Sequence, residues 1–347
     1  MHLLAAPGPA GHEVRAARVW RGYGEEFGAK VRVDAAGNSL ATVLGGGAGR
    51  PRLMLAGHID EIGLIVTAID EKGYASVEGL GGWDATVLAG QRVRVLAREG
   101  DIPGVIGRKP THLMTSEEEG KAPRLKDLWI DIGARDRADA QVAIRVGDPI
   151  VIDAAPIELR AGRIASRALD NRAGAFVVIE ALRLLAVEPA PHAEVTAVAT
   201  TGEEAGFVGA AAGAFGIEPD AAIAVDVTFS NDDPGGEPKR SGEHPLGSGP
   251  AIGRWAGANL ALTDLLVSAA EEEGIPYTVE AMGRRSGTDA DAILRVRAGI
   301  PSALVSVPLR YMHTPVEVAS LDDLAACARL LAATCRRFTP DTELRPL

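Results

Sequence analysis

The sequence predicts an α/β protein: a mixed, mostly parallel sheet flanked by helices, with a small β-barrel or sandwich inserted into it. Three observations predict this. The continuous apolar strand after Arg52 in residues 52–57, and the run 194–199, read as strands of the kind buried in a mostly parallel sheet. After Ser166 these runs alternate with longer helical patterns, in βαβ order. Between about Thr67 and Asp153 the character changes to short β-rich runs punctuated by Gly and Asp, as in a small antiparallel barrel. The expected division is therefore 1–66 with 154–347 for the host domain, and 67–153 for the insert.

Pro7, Gly8, Pro9 and Gly11 make residues 5–11 a turn, and residues 12–20 begin an amphipathic helix. Residues 31–34 and 40–44 alternate like paired strands about the turn Gly37-Asn38. The loop Gly45-Gly46-Gly47 leads to strand 52–57, which runs into His58-Ile59-Asp60-Glu61-Ile62-Gly63. Inside the insert, 91–96 and 148–152 read as strands and 136–141 as its one short helix. Residues 112–124, with Glu117-Glu118-Glu119, read as a mobile charged loop. The host pattern resumes at Ser166-Arg167-Ala168-Leu169-Asp170-Asn171-Arg172, with a helix over 173–185, strand 194–199, the turn Thr200-Thr201-Gly202-Glu203-Glu204-Ala205-Gly206 and a helix over 209–215. Strand 221–225 ends in Asp226, and 231–249 is a long loop. A helix over 259–273, strand 277–280, the turn 287–290, a helix over 290–296, strand 302–307 and a last helix over 321–336 complete the chain, and no internal repeat is seen.

At 347 residues and 46% apolar content the chain is long enough for a large core. A net charge of -11 argues against nucleic-acid or anionic-membrane partners, which need clustered Lys and Arg. No apolar run reaches bilayer length, and the first residues lack the basic region and apolar core of a signal peptide, so a cytoplasmic location is expected. Cys327 and Cys335 lie too far apart along one helix to pair, and read as core thiols.

The chemistry is concentrated at the carboxyl ends of the predicted strands. His58 with Asp60, Glu203 with Glu204, Asp226, and His313 just beyond strand 302–307 fall there, and Asp170 opens a helix at the same level. In a parallel sheet those ends share one crevice. Each residue has a plain alternative: His58 a hydrogen-bonded core histidine, Asp170 an N-cap, Asp226 a turn cap, His313 an exposed loop residue. Their convergence on one edge favours a joint role. Two imidazoles and several carboxylates without Cys suit divalent Zn, Co or Mn in a hydrolytic site. Gly202 and Gly206 permit the backbone bend that lets both glutamates face one pocket, one as ligand and the other handling protons. Thr288, Asp289 and Arg310 are candidates for lining the substrate pocket, with turn capping and a surface cation as the alternative.

Taken together, Gly57–Gly63, Leu169-Asp170-Asn171-Arg172-Ala173-Gly174, Gly202-Glu203-Glu204-Ala205-Gly206, Asp226-Val227-Thr228, Gly287-Thr288-Asp289-Ala290 and Arg310-Tyr311-Met312-His313-Thr314-Pro315 resemble the motif series of the tetrahedral (TET) aminopeptidases. That family includes glutamyl aminopeptidases and proteins carrying cellulase M or endoglucanase names. The resemblance covers nearly the whole chain and implies the dinuclear zinc-peptidase fold. By resemblance Asp170 bridges two divalent ions per subunit, one completed by Glu204 and His313 and the other by His58 and Asp226. Glu203 matches the general base, and Asp60 the carboxylate that orients His58. The implied reaction is removal of N-terminal residues from peptides by a metal-bridging water. The insert resembles a dimerisation and lid domain that builds homododecamers. Gly202, Val208 and Phe229 depart from the pattern, where Gln, Arg and His are usual, which bears on substrate preference rather than on metal binding.

Two other hydrolase classes remain open at this point. A deacylase or carboxypeptidase-like amidohydrolase would need an Arg for a substrate carboxylate, for which Arg92, Arg108 and Arg124 are available. A glycosidase using Glu203 and Glu204 is disfavoured, because adjacent residues rarely hold carboxyl groups across a sugar and aromatic residues are only 4%.

Overall fold

The computed structural model describes residues 1–46, 50–117, 119–187 and 190–345, with the side chains of 240 and 241 left aside. Gly47 of the glycine loop and Glu118 of the charged loop lie outside the described residues.

The chain opens with a single turn, α1 (His2–Ala5), and the amphipathic helix α2 (Val14–Glu26). The hairpin β1 (Lys30–Val33) and β2 (Ser39–Val43) follows, and then the apolar strand β3 (Arg52–His58). Six strands next close into a barrel: β4 (Gly63–Ile69), β5 (Ala75–Leu80), β6 (Arg92–Ala97), β7 (Gly100–Arg108), β8 (Leu128–Asp131) and β9 (Pro149–Ile152), in the order β4-β5-β8-β7-β6-β9. The short helix α3 (Ala85–Leu88), absent from the sequence reading, follows β5, and α4 (Arg137–Ala143) follows β8 with the Asp136 side chain capping it. The barrel has its own apolar interior, including Leu64, Val66, Val95, Ile130 and Ile150.

The host sheet resumes with a second hairpin that the sequence reading left out, β10 (Ile157–Leu159) and β11 (Arg163–Ser166). After it come α5 (Leu169–Leu185), β12 (Glu194–Thr200), α6 (Val208–Ile217) and β13 (Ala221–Phe229). The long loop contains α7 (Pro238–Ser241) and leads to β14 (Ala251–Arg254), α8 (Leu260–Glu272), β15 (Thr278–Ala281) and α9 (Ala290–Ile293). The chain closes with β16 (Ser302–Arg310), β17 (Glu317–Ser320) and α10 (Leu321–Arg337).

Eleven described strands form one mixed sheet, along β1-β2-β12-β3-β13-β16-β17-β11-β10, with β14 and β15 joined beside β16. Its centre is parallel: β12, β3, β13 and β16 run the same way. Side chains alternate between the two faces of each strand. Leu53, Leu55, Ile223 and Val305 therefore pack with α5 and α10 on one face, while Met54, Ala56 and Ala222 pack with α6 on the other. The two cysteines are buried and unpaired in α10. No helix among the described residues is long and apolar enough to cross a membrane.

Two strands are longer than expected. Asp226 does not end β13, because Val227, Thr228 and Phe229 continue to pair in register with Val307, Pro308 and Leu309 of β16. The two extensions support each other, which neither segment reveals when read alone.

Candidate metal centre

The parallel register brings the predicted residues to one edge. His58 is the last residue of β3 and lies level with Thr200, the last residue of β12. Asp226 lies level with Ser306 on the neighbouring pair. Asp170 is delivered from α5, whose first turn packs directly on β3. A Cβ on Gly57 would come within 2.6 Å of the Gly174 backbone, so only glycine allows this approach. The Asp170 side chain does not cap the helix; that part is taken by Asn171, whose Oδ1 accepts from Gly174 N–H at 2.9 Å.

Asp170 stands between the two histidines. Its Oδ1 is 3.2 Å from His58 Nε2 and its Oδ2 is 3.4 Å from His313 Nε2. Glu204 Oε1 lies 3.3 Å from His313 Nε2, and Asp226 Oδ1 lies 3.9 Å from His58 Nε2. Glu203 Oε2 lies 3.8 Å from the same His58 nitrogen. Single ligand atoms from His58, Asp170 and Glu204 fall within 4.8 Å of one another, as do those from His58, Glu203 and Asp226.

The supporting groups explain why these side chains point where they do. Gly202 and Gly206 take positive φ values of 62° and 117°, which turns the chain so that Glu203 and Glu204 both face the cavity. Asp60, fully buried, accepts from the backbone N–H of Glu203 at 3.2 Å and of Glu204 at 3.1 Å, clamping that turn. The same carboxylate lies 3.4 Å from His58 Nδ1, a nitrogen that makes no hydrogen bond. His313 sits in the left-handed region at φ 60°. Its N–H donates to Glu317 Oε1 at 3.0 Å, and its Nδ1 lies 2.8 Å from Gly82 O in the loop after β5. A proton on Nδ1 leaves Nε2 free to ligate.

Neither Glu317 nor Gly82 was found by sequence reasoning. Glu317 Oε2 also accepts from the Asp170 N–H at 3.0 Å, so this one buried acid ties the Asp170 and His313 backbones together. An acid opening a buried four-residue strand, Glu317-Val318-Ala319-Ser320, was the available signal. Gly82 acts through its carbonyl and has none.

Burial pushes the Glu203 carboxyl up to about 10, with Asp226, Asp289 and Glu204 adding repulsion against the pull of His58. Asp226 is likewise raised by burial and by Asp170. Burial would lower His58, but Glu203, Asp170 and Asp60 outweigh it and raise it. Hydrogen bonds to Asp170 and Glu204 carry His313 up to about 11. The chain alone must crowd protons into this cluster to offset its carboxylates. Divalent cations would do so directly, and the imidazole and carboxylate donors, with no thiol, fit hard or borderline ions.

These groups line a cavity of about 520 Å³. Thr288 and Phe229 also line it, Phe229 being 59% exposed. Asp289 is buried behind it, accepting from the Thr200 hydroxyl. Arg310 is not among its lining residues; its guanidinium holds Asp232 through two bonds of 2.6 and 2.7 Å. Arg92, Arg108 and Arg124 do not line it either, and the last two border a separate cavity on the barrel. Val208, the first residue of α6, is 63% exposed and also lies outside the lining.

The sequence profile described as M42 glutamyl aminopeptidase matches residues 37–330. A lysyl aminopeptidase of Pyrococcus furiosus is 32% identical over 349 aligned residues, covering 97% of this chain and 96% of its own. The structure of a TET aminopeptidase from a marine-sediment Thaumarchaeota archaeon superposes with a TM-score of 0.93 at 34% identity, covering 98% and 96% of the two chains. The Pyrococcus horikoshii TET1 peptidase, which can assemble into a tetrahedron or a large octahedral shell, matches with a TM-score of 0.85 at 30% identity, over 97% and 98% of the chains.

Proposed function

We propose a two-metal mechanism of N-terminal peptide cleavage from one premise: the chain belongs to the M42 glutamyl aminopeptidase family and is a peptidase. The observation that carries the proposal is Asp170, with one carboxylate oxygen toward His58 and the other toward His313. In this reading His58, Asp170 and Asp226 hold one divalent cation, and Asp170, Glu204 and His313 hold the other. Zinc is the first choice, with cobalt or manganese as substitutes. Bound there, the two cations supply the charge that polarises the scissile carbonyl and acidifies the attacking water.

The remaining steps belong to the chain. Glu203, 3.8 Å from His58 Nε2 and assigned to neither cation, takes the water's proton at its carboxylate and delivers it to the leaving amine. Its raised proton affinity is lowered once cations replace protons in the cluster. Asp60 keeps Glu203 in place through the backbone of the turn, besides facing His58. Thr288 forms part of the substrate wall. Asp289, bonded to Thr200, and Arg310, bonded to Asp232, would stand behind that wall rather than touch the substrate. The inserted barrel, read from the sequence as residues 67–153 and including β4 from Gly63, would serve as a dimerisation and lid domain within a homo-oligomer, as assembly of the TET1 peptidase suggests.

Turnover of aminoacyl-p-nitroanilides, N-acyl amino acids and cellulose, measured with and without chelator, tests the reading. Only the first should be cleaved, and chelator should abolish cleavage until a divalent cation is restored. Cleavage that survives complete metal removal overturns it.

A further inference from the structure

The cavity that holds the metal-competent residues does not end at Thr288. It continues into a second one of about 740 Å³, and the two share Phe229, Glu280, Met282 and Ser286. Glu280, on β15, thus stands where they meet, and the mechanism above makes no use of it. We propose that Glu280 selects peptides whose amino-terminal residue carries a cationic side chain, lysine or arginine. The proposal rests on the aminopeptidase reading and names the substrate class of that same site.

The first support is distance. Asp226 and Thr228 are two residues apart on β13, so their side chains share a face and their backbones lie about 6.6 Å apart at ~3.3 Å per residue. The Thr228 hydroxyl donates to Glu280 Oε1 at 2.7 Å. The Glu280 carboxylate is therefore set back from Asp226 by about the reach of the four-carbon stem of lysine. A substrate whose amino terminus lies at the Asp226 end of the cavity would direct such a stem toward it.

The second support is chemical complementarity. Met282 and Leu304 line the first cavity beside exposed Phe229, an apolar wall suited to methylene groups. Long cationic side chains lay their stems on such surface and keep the charge at the end. Glu280 is half-buried and makes no ion pair with a Lys or Arg among the described residues. Burial pushes its carboxyl up, with the Thr228 hydroxyl and the nearby His244 ring pulling the other way. A carboxylate with one neutral donor is poorly compensated, and an arriving ammonium or guanidinium completes it. The balance beyond is also acidic: Asp233 and Glu237 line the second cavity against one cation, Arg285. An acidic substrate side chain would meet like charge here, a penalty that works as selection.

The test compares kcat/KM for the p-nitroanilides of lysine, of norleucine, which keeps the stem without the ammonium, and of glutamate. The metal-loaded wild-type protein should prefer lysine over norleucine by about tenfold or more, the scale of a charged hydrogen bond in a half-buried site. Glu280→Gln should bring that ratio close to one, and Glu280→Lys should move the preference to glutamate. Norleucine cleaved as well as lysine by the wild type, or a ratio unchanged in Glu280→Gln, overturns the assignment and leaves the aminopeptidase reading intact. Failure to cleave all three overturns both. A binding arm is independent of turnover: L-lysinamide should bind the metal-loaded Glu203→Gln variant about tenfold tighter than L-norleucinamide does, and equal affinities count against Glu280.

Discussion

At the scale of single residues, the roles of Glu203 and Asp60 are separable. Glu203 contributes a proton acceptor and neither of the proposed ligand sets, so Glu203→Gln should retain both metal ions by elemental analysis and lose about two to four orders of magnitude in kcat. Unchanged turnover would remove it as the base. Asp60 works differently, because it receives two backbone N–H groups from the turn and faces His58. Asp60→Ala would leave those donors buried without a partner and let the turn relax. The expected result is a loss of about 10- to 100-fold in metal affinity, read by chelator competition, with activity falling in parallel. His58, Glu204, Asp226 and His313 could be singled out as candidates because each lies at or near the end of a predicted strand, and Asp170 because it opens a helix at the same level. Glu317 and Gly82 were not legible, since they act on backbone groups or through a backbone carbonyl, across sequence separations that only the folded chain closes.

At the scale of elements, the entry to α5 is fixed by charge buried deep in the protein. Glu61 is 2% exposed; it pairs with Arg167, lies 2.8 Å from the Arg172 guanidinium, and accepts from Gly8 N–H at 2.9 Å. Burial would raise its carboxyl, but Arg172 and Arg167 hold it below the usual range. Arg172 in turn donates to the carbonyls of Leu3, Ala6 and Ile59, tying the amino-terminal segment to the helix that carries Asp170. Removing one member leaves buried charge uncompensated, so Glu61→Ala should cost about 3–5 kcal/mol in denaturant unfolding.

The contact between α2 and α5 gives a pH-dependent test at the same scale. The Tyr23 hydroxyl donates to Glu180 Oε2 at 2.6 Å, and burial together with that bond raises its pKa from 10.0 to about 12. A folded value above the unfolded one means the protonated hydroxyl stabilises the fold fully below pH 10, and the contribution is lost as pH rises from there through 12. The Tm of the wild type should therefore fall more steeply over that window than the Tm of Tyr23→Phe. The central strands could be read from their apolar runs in alternation with helical patterns, and the long helices from their length and periodicity. The host-sheet strands that escaped, β10, β11, β14 and β17, have three or four residues each and owe their conformation to pairing with neighbouring strands rather than to any local pattern.

At the scale of the whole molecule, the barrel constrains how copies can associate. Its six strands close into a barrel in the order β4-β5-β8-β7-β6-β9, so no whole strand is left as an edge for a partner to extend. Association through this part must use faces, and its exposed apolar side chains supply candidates: Val142 on α4 is 87% exposed and Val146 just beyond it 63%. Two such residues close in sequence at the end of one short helix make a compact contact that a charge would disrupt. If the barrel builds the proposed homo-oligomer, the wild type should sediment well above the 36.0 kDa of one chain, toward a twelvefold assembly. The double variant Val142→Asp, Val146→Asp should then sediment as a smaller species. Metal content should be retained, because every residue assigned to the metals comes from the same chain. Turnover of a dipeptide-sized substrate should also persist, while discrimination against long unfolded chains, which an enclosing shell would impose, should weaken. A wild-type protein that sediments only at the mass of one chain would exclude the enclosed arrangement while leaving the metal centre, which needs no second copy, untouched.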